Sequence, residues 1–395
     1  MEFDLTWILL GLPAAFVLGW LASRFDLRQM RRENKSAPKA YFKGLNFLLN
    51  EQQDKAIDAF IEAVQNDPDT AELHFALGNL FRRRGEYNRA VRVHEHLLSR
   101  ADIAKEERDR AQHALALDFL KAGLLDRAED ALAKLDDTAF ENEARLSRLA
   151  IYERAHDWPQ AAAIARQMQQ QGQGEYSVRI AHYLCEQALQ QQADGQLDAT
   201  RALLDQALAA APQAPRPHIE LARLQQKQGQ LSSALDTLVA LAAASPASVA
   251  LVAQLMTELG RTTQRQGEVR ELLEANYRQA PSLDVLQCLV SLDEEAPVEK
   301  EPQVPGAPTA AHGRERYVQH LQREPSLVAA SRWLEGEKLE HEQYHAAVQR
   351  ALDNATKPLT RYRCAACGFE ARQHFWQCPG CQTWDSYPPR RVEEL

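Results

Sequence analysis

The chain repeats itself every 34 residues. Gly44 and Gly78 stand at that interval, and so do Ala56 and Ala90. Further on, Ala188 and Ala222, Thr200 and Ala234, and Pro212 and Pro246 keep it. Small residues at a fixed period of this length call for a unit of two antiparallel helices that approach closely. Each unit must stack on its neighbours to bury a continuous core. The interval slips by four residues between Ala90 and Ala128 and by five between Ala161 and Thr200. Longer loops between units absorb such slips.

The fullest copy runs from Ala71 to Ala104. It carries Leu77-Gly78 and Phe81 in its first helix, a turn at Gly85-Glu86-Tyr87, and Ala90 and Leu97 in its second. The copy before it holds Gly44, Phe47, Ala56, Phe60 and Ala63, and stops at Asp67-Pro68. This is the mark of tetratricopeptide repeats, and the expected fold is a mainly α-helical solenoid over residues 37–356. Past Pro246 the pattern weakens, but 251–280 still reads as a helix pair and 283–292 as the start of another. Residues 294–313 contain Pro297, Pro302, Pro305 and Pro308 among acids and alanines. They read as a flexible insertion. Helical sequence resumes at Arg314 and runs to about Thr356. The first helix of each pair lines the inner surface of such an array. By register Asn79, Arg82, Arg83, Lys121, Arg154 and Arg223 could face it and form a partly basic groove for an acidic peptide. Taken singly, each also reads as part of a solvated helix face.

Four cysteines lie beyond the repeats, in Cys364-Ala-Ala-Cys367-Gly and Cys378-Pro-Gly-Cys381, with ten residues between the hooks. Two CxxC hooks turn four thiolates toward one point, so Cys364, Cys367, Cys378 and Cys381 are the expected ligands of one metal ion, iron or zinc. Residues 357–395 are too few to bury an adequate core, so metal–thiolate bonds must supply much of the folding energy. Tyr362, Phe369, Phe375, Trp376 and Trp384 are the expected aromatic core. Four sulfur ligands leave no open coordination position, which makes the site structural rather than catalytic. The module is expected to dock on the repeats and cap their open end. Cys185 and Cys288 stand alone in helical sequence and read as small buried apolar residues. Thiolate ligands fit a reducing compartment.

Residues 1–23 contain an uncharged run of 18 residues, Leu5 to Ala22. As a helix it spans about 27 Å, enough for a hydrocarbon core. Trp7 and Trp20 lie near its ends. Glu2 and Asp4 precede it, and Arg24, Arg28, Arg31, Arg32 and Lys35 follow in a basic juxtamembrane linker, residues 24–36. The positive charge comes after the apolar run and no A-x-A site follows, which favours an uncleaved anchor over a signal peptide. The positive-inside rule then places the amino terminus outside and everything after Arg24, the repeats and the metal module included, in the cytoplasm of a single-pass membrane protein.

Two other functions match parts of the sequence. His341-Glu342-Gln-Tyr-His345 matches HExxH, the pattern of a zinc peptidase. It lacks an evident third ligand, and the sequence around it reads as a polar terminal helix. Zinc ribbons also bind nucleic acid, but residues 357–392 hold six Lys/Arg against two acids and the whole chain carries −9. That balance argues against a nucleic-acid partner.

An amino-terminal anchor, tetratricopeptide repeats and a carboxy-terminal rubredoxin-like module, in this order, resemble the lipopolysaccharide assembly protein B family of Gram-negative bacteria. The sharpest matches are Gly44-Leu-Asn-Phe-Leu-Leu49 with Gln53-Asp-Lys-Ala56, Leu77-Gly-Asn-Leu-Phe-Arg82 with Arg84-Gly-Glu86, and Arg361-Tyr-Arg-Cys364 with Cys367-Gly-Phe369. The resemblance covers nearly the whole chain; the 294–313 insertion and the 341–345 motif depart from it. It implies a non-enzymatic adaptor. Such an adaptor helps the membrane AAA+ protease FtsH degrade the lipid A committing deacetylase LpxC, under control of an inner-membrane lipopolysaccharide sensor. It also implies the same four cysteines as metal ligands.

Overall fold

A computed structural model describes residues 42–47, 49–66, 70–294, 311–335 and 342–395. They fall into two compact units, one ending at His156 and the other starting at Asp157. The expected anchor and the HExxH residue His341 lie outside the described residues, as does the proline-rich stretch 295–310. Among the described residues no helix is long and apolar enough to cross a membrane.

The first unit opens with helical residues 42–47 and continues with α1 (Gln53–Asn66), α2 (Ala71–Arg84), α3 (Tyr87–Ser99), α4 (Lys105–Ala122), α5 (Leu125–Ala133) and α6 (Glu141–Ala155). Apolar faces close on one another in antiparallel pairs. Ala56, Phe60, Leu77, Phe81 and Ala90 form one buried cluster; Phe119, Ala128, Leu132 and Ile151 form another. The turn after α2 needs a glycine: Gly85 has φ +83°, and the amides of Gly85 and Glu86 donate back to the carbonyls of Arg82 and Phe81. That left-handed stop satisfies the last carbonyls of the helix. Gly78 is required for another reason. A Cβ there would sit 2.5 Å from the ring of His94, which is fully buried.

Beneath that ring runs a polar chain. His94 Nδ1 lies 2.5 Å from Asp118 Oδ2, and Arg82 donates to Asp118 Oδ1 at 2.8 Å, to the Ala114 carbonyl at 3.0 Å and to Asn79 Oδ1 at 2.5 Å. Two of the residues expected along a basic groove take part in this chain. Arg82 is neutralised by a buried carboxylate, and Asn79 is bonded to Arg82. A buried Asp must be paired, so the nearest guanidinium is drawn inward. Arg83, Lys121 and Arg154 remain exposed.

The second unit carries α7 (Trp158–Gln170), α8 (Ser177–Ala193), α9 (Leu197–Ala210), α10 (Pro215–Lys227), α11 (Leu231–Ala244), a 3-10 turn (Pro246–Leu251), α12 (Ala253–Thr262), α13 (Gln266–Gln279), α14 (Leu283–Glu294), α15 (Ala311–Arg323), α16 (Leu327–Glu335) and α17 (Glu342–Thr356). Ala161, Ala188, Thr200, Ala222 and Ala234, all marked by the period, are buried. The weakened copies beyond Pro246 fold as the pairs that the sequence suggested. Glu294 and residues 311–313 are helical rather than part of the insertion. Cys185 and Cys288 are both buried, Cys288 within an apolar cluster, and burial pushes the Cys185 thiol up to about 12. His345 is half-buried, with Nε2 3.2 Å from the Leu334 carbonyl. Its ring is thus engaged with backbone rather than freely exposed. Arg223 is exposed but pairs with Glu220 at 3.4 Å.

Candidate metal centre

The last module is built from two tight hairpin-like hooks. A two-residue antiparallel pair, β1 (Tyr362–Arg363) with β2 (Glu370–Ala371), holds the first; a bridge between Gln377 and Trp384 holds the second. In the first hook Gly368 has φ +78°, and its amide donates to the Cys364 carbonyl at 2.9 Å. In the second the Gln382 amide donates to the Cys378 carbonyl at 2.8 Å, and the Gly380 amide points at Cys378 Sγ at 3.4 Å. Each hook thus folds its backbone around sulfur.

The four sulfurs lie within 4.8 Å of one another. Cys364 Sγ is 3.8 Å from Cys381 Sγ, and Cys367 Sγ is 3.7 Å from Cys378 Sγ. Metal–sulfur bonds of ~2.3 Å in a tetrahedron require sulfur–sulfur edges of about 3.8 Å, so the shell is already spaced for one ion. A disulfide would need about 2.05 Å. Ser386 Oγ lies 3.3 Å from Cys364 Sγ, and Thr383 Oγ1 lies 3.3 Å from Cys381 Sγ. Burial works against ionising Cys364, but the Ser386 hydroxyl and the amides of Cys367 and Ala366 outweigh it and bring the thiol down to about 6. Four soft donors with no gap in the shell suit iron or zinc held structurally. The four cysteines cluster to hold one metal ion.

The module is seated on the helices of its own unit. Trp384 stacks on His182 with centroids 4.8 Å apart, and meets Trp158 and Tyr183 edge-on at 6.0 and 5.9 Å. His182 Nε2 donates to the Asp385 carboxylate, 2.9 Å from each oxygen. Burial holds His182 below its ordinary value although Asp385 pulls the other way, so the ring is the neutral partner of that bond. Arg216, nearly buried, donates to Glu186 at 2.6 Å and lies 5.9 Å from the Trp384 ring. Leu251 packs under Tyr362 and the cysteine cluster. Arg391 forks onto Asp284 with both bonds at 2.9 Å and covers the Tyr362 ring at 4.1 Å. Glu394 accepts the first amide of α14, that of Leu283, at 2.6 Å. Glu393 accepts the Leu327 and Val328 amides at the start of α16, at 2.5 and 3.1 Å.

Two expectations change here. The module does not simply cap the end of the array; it lies along the first helices α8, α10, α14 and α16 and the 3-10 turn before α12. Nor do its five aromatics form one internal core. Tyr362 and Phe375 pack inside with Tyr387, which sequence reasoning missed, while Trp376 and Trp384 face the helices. Phe369 is 44% exposed and lies against Gly380 of the second hook.

Comparisons with known proteins agree with this anatomy. Residues 362–388 match the family model for a rubredoxin metal binding domain, and residues 191–259 match that for a tetratricopeptide repeat. Lipopolysaccharide assembly protein B of Escherichia coli (strain K12) is 30% identical over 392 residues, covering 97% of this chain and 98% of the relative. Its namesake in Haemophilus influenzae is 26% identical, covering 98% of each. Among solved structures, Naa15/Naa10 bound to HypK-THB aligns with 82% of this chain and 48% of its own at 13% identity and a TM-score of 0.41, too distant to carry an argument. Near-complete alignment, helical repeats and a four-cysteine ribbon together place the chain in the lipopolysaccharide assembly protein B family.

Proposed function

We propose that the chain is a membrane-anchored adaptor that regulates lipopolysaccharide synthesis and performs no bond chemistry of its own. In this reading residues 1–23 anchor it, residues 24–36 link it to the inner membrane, and the repeats and ribbon, 37–356 and 357–395, work in the cytoplasm. It promotes proteolysis of the deacetylase LpxC by FtsH, answering to an inner-membrane lipopolysaccharide sensor. The observation that carries it is the alignment to lipopolysaccharide assembly protein B over almost the full length of both chains. The architecture is compatible. A repeat array offers extended surfaces for protein segments, and tethering at a membrane raises the effective concentration of a membrane partner without new contacts. Of the expected groove residues in the first unit, Arg83, Lys121 and Arg154 are the exposed cations that would meet a client. Crosslinking capture from membranes should bring down protease and deacetylase together, and depletion of this chain should raise deacetylase levels. Unchanged deacetylase on depletion would remove the adaptor reading.

A further inference from the structure

A cavity of about 480 Å³ lies within the second unit, between the ribbon and the last helices. Its apolar side is made by Leu283, Tyr317 and Val328. Around them stand five cationic side chains, Arg332, Lys357, Arg361, Arg372 and Arg391, and one carboxylate, Asp284. That carboxylate is spent, because both its oxygens accept from Arg391. Arg361 is 3.6 Å from Glu370, which Arg363 already holds at 2.7 Å, and Arg332 pairs with Glu335 across an exposed 3.2 Å contact. Among the described residues Lys357 and Arg372 have no carboxylate within ion-pair distance, and both are exposed. Carboxylates thus offset Arg391, Arg361 and Arg332, and Lys357 and Arg372 remain as two uncompensated positive charges beside a concave apolar surface. Like charges so gathered repel one another, and a bound anion relieves that repulsion.

We propose that this recess binds a phosphate monoester with an apolar body. The volume is that of a small-molecule site rather than an extended groove. A phosphate monoester carries up to two charges and three acceptor oxygens, which suits several guanidinium and ammonium donors better than one carboxylate would. The apolar body rests on the Leu283, Tyr317 and Val328 side, and the phosphate meets Lys357 and Arg372 at the rim. The site is separate from the metal shell and does not depend on the adaptor reading.

The test is calorimetric titration of the full-length, metal-loaded chain in detergent with phenyl phosphate, inorganic phosphate and benzoate. Phenyl phosphate should bind saturably and more tightly than the other two. The Lys357→Glu/Arg372→Glu double variant should weaken it by more than about tenfold, since two charge-assisted contacts are lost, with metal content and helical signal unchanged. Competition by dihexanoyl phosphatidic acid distinguishes the source: tighter binding than phenyl phosphate assigns a lipid headgroup, weaker binding a free ester. No saturable binding of phenyl phosphate, equal binding of benzoate, or an unaffected double variant would overturn the proposal.

Discussion

His94 shows how one side chain can dictate its neighbours. Its buried ring leaves no space for a Cβ at position 78 and presents Nδ1 to Asp118, which in turn recruits Arg82. Gly78→Ala should therefore destabilise the first unit by about 1–3 kcal/mol through overpacking, read as a lower denaturation midpoint. A neutral result would mean that the ring can move aside. In the ribbon the decisive residues are the ligands. Cys364→Ser should abolish stoichiometric metal in elemental analysis and unfold the module, because a fragment of this size lacks another source of comparable stability. The same variant should lose the Trp384 contact with His182, visible as increased proteolysis after Arg372 or Arg390. The ligands were legible in the sequence because two hooks of fixed local spacing need nothing distant to define them. The fate of Arg82 was not, because its partner Asp118 lies 36 residues away and nothing local announces a buried carboxylate.

At the scale of elements, the ribbon's last residues act on helix ends. Glu394 and Glu393 accept first-turn amides of α14 and α16, where unpaired N–H groups and the helix dipole favour a negative charge. Burial pushes the Glu394 carboxyl up, while the amides of Arg391 and Leu283 pull it back, so its bonds offset a desolvation cost. Replacing both residues with alanine should cost the second unit about 1–3 kcal/mol. Hydrogen exchange should then quicken at the amides of residues 283–285 and 327–329, and unaltered exchange there would deny the capping role. The helix pairs themselves were legible from the 34-residue period, down to the weak copies after Pro246. The seat of the ribbon was not, since His182 and Asp385 are 203 residues apart. A signal existed nonetheless. His182, Arg216 and Asp284 fall on multiples of the same 34-residue step, with Ala250, beside Leu251, on the rung between. Polar residues at one register of successive first helices mark a face with something to hold.

Across the described residues, buried and half-buried histidines contribute to the response to acid. Burial holds His74, His113, His182 and His320 below their ordinary value of 6.5. Unfolding frees these rings to take protons near 6.5, whereas the folded chain takes them only at lower pH. Below about 6.5 the unfolded state therefore binds more protons, and stability present above that pH is lost as pH falls through it. The urea midpoint should be lower at pH 5.5 than at pH 7.5, with metal content followed in parallel to separate ion loss from protonation. A midpoint that held steady or rose would contradict the assignment. The ladder of contacts under the ribbon has a mechanical consequence as well. Stacked helix pairs ordinarily behave as a spring, because each pair touches only its neighbours and small rotations add up. A module that grips His182, Arg216, Leu251, Asp284 and the start of α16 at once ties together pairs that would otherwise flex independently. Metal loading should thus turn this stretch of coil into a strut, and stripping the ion should return its springiness.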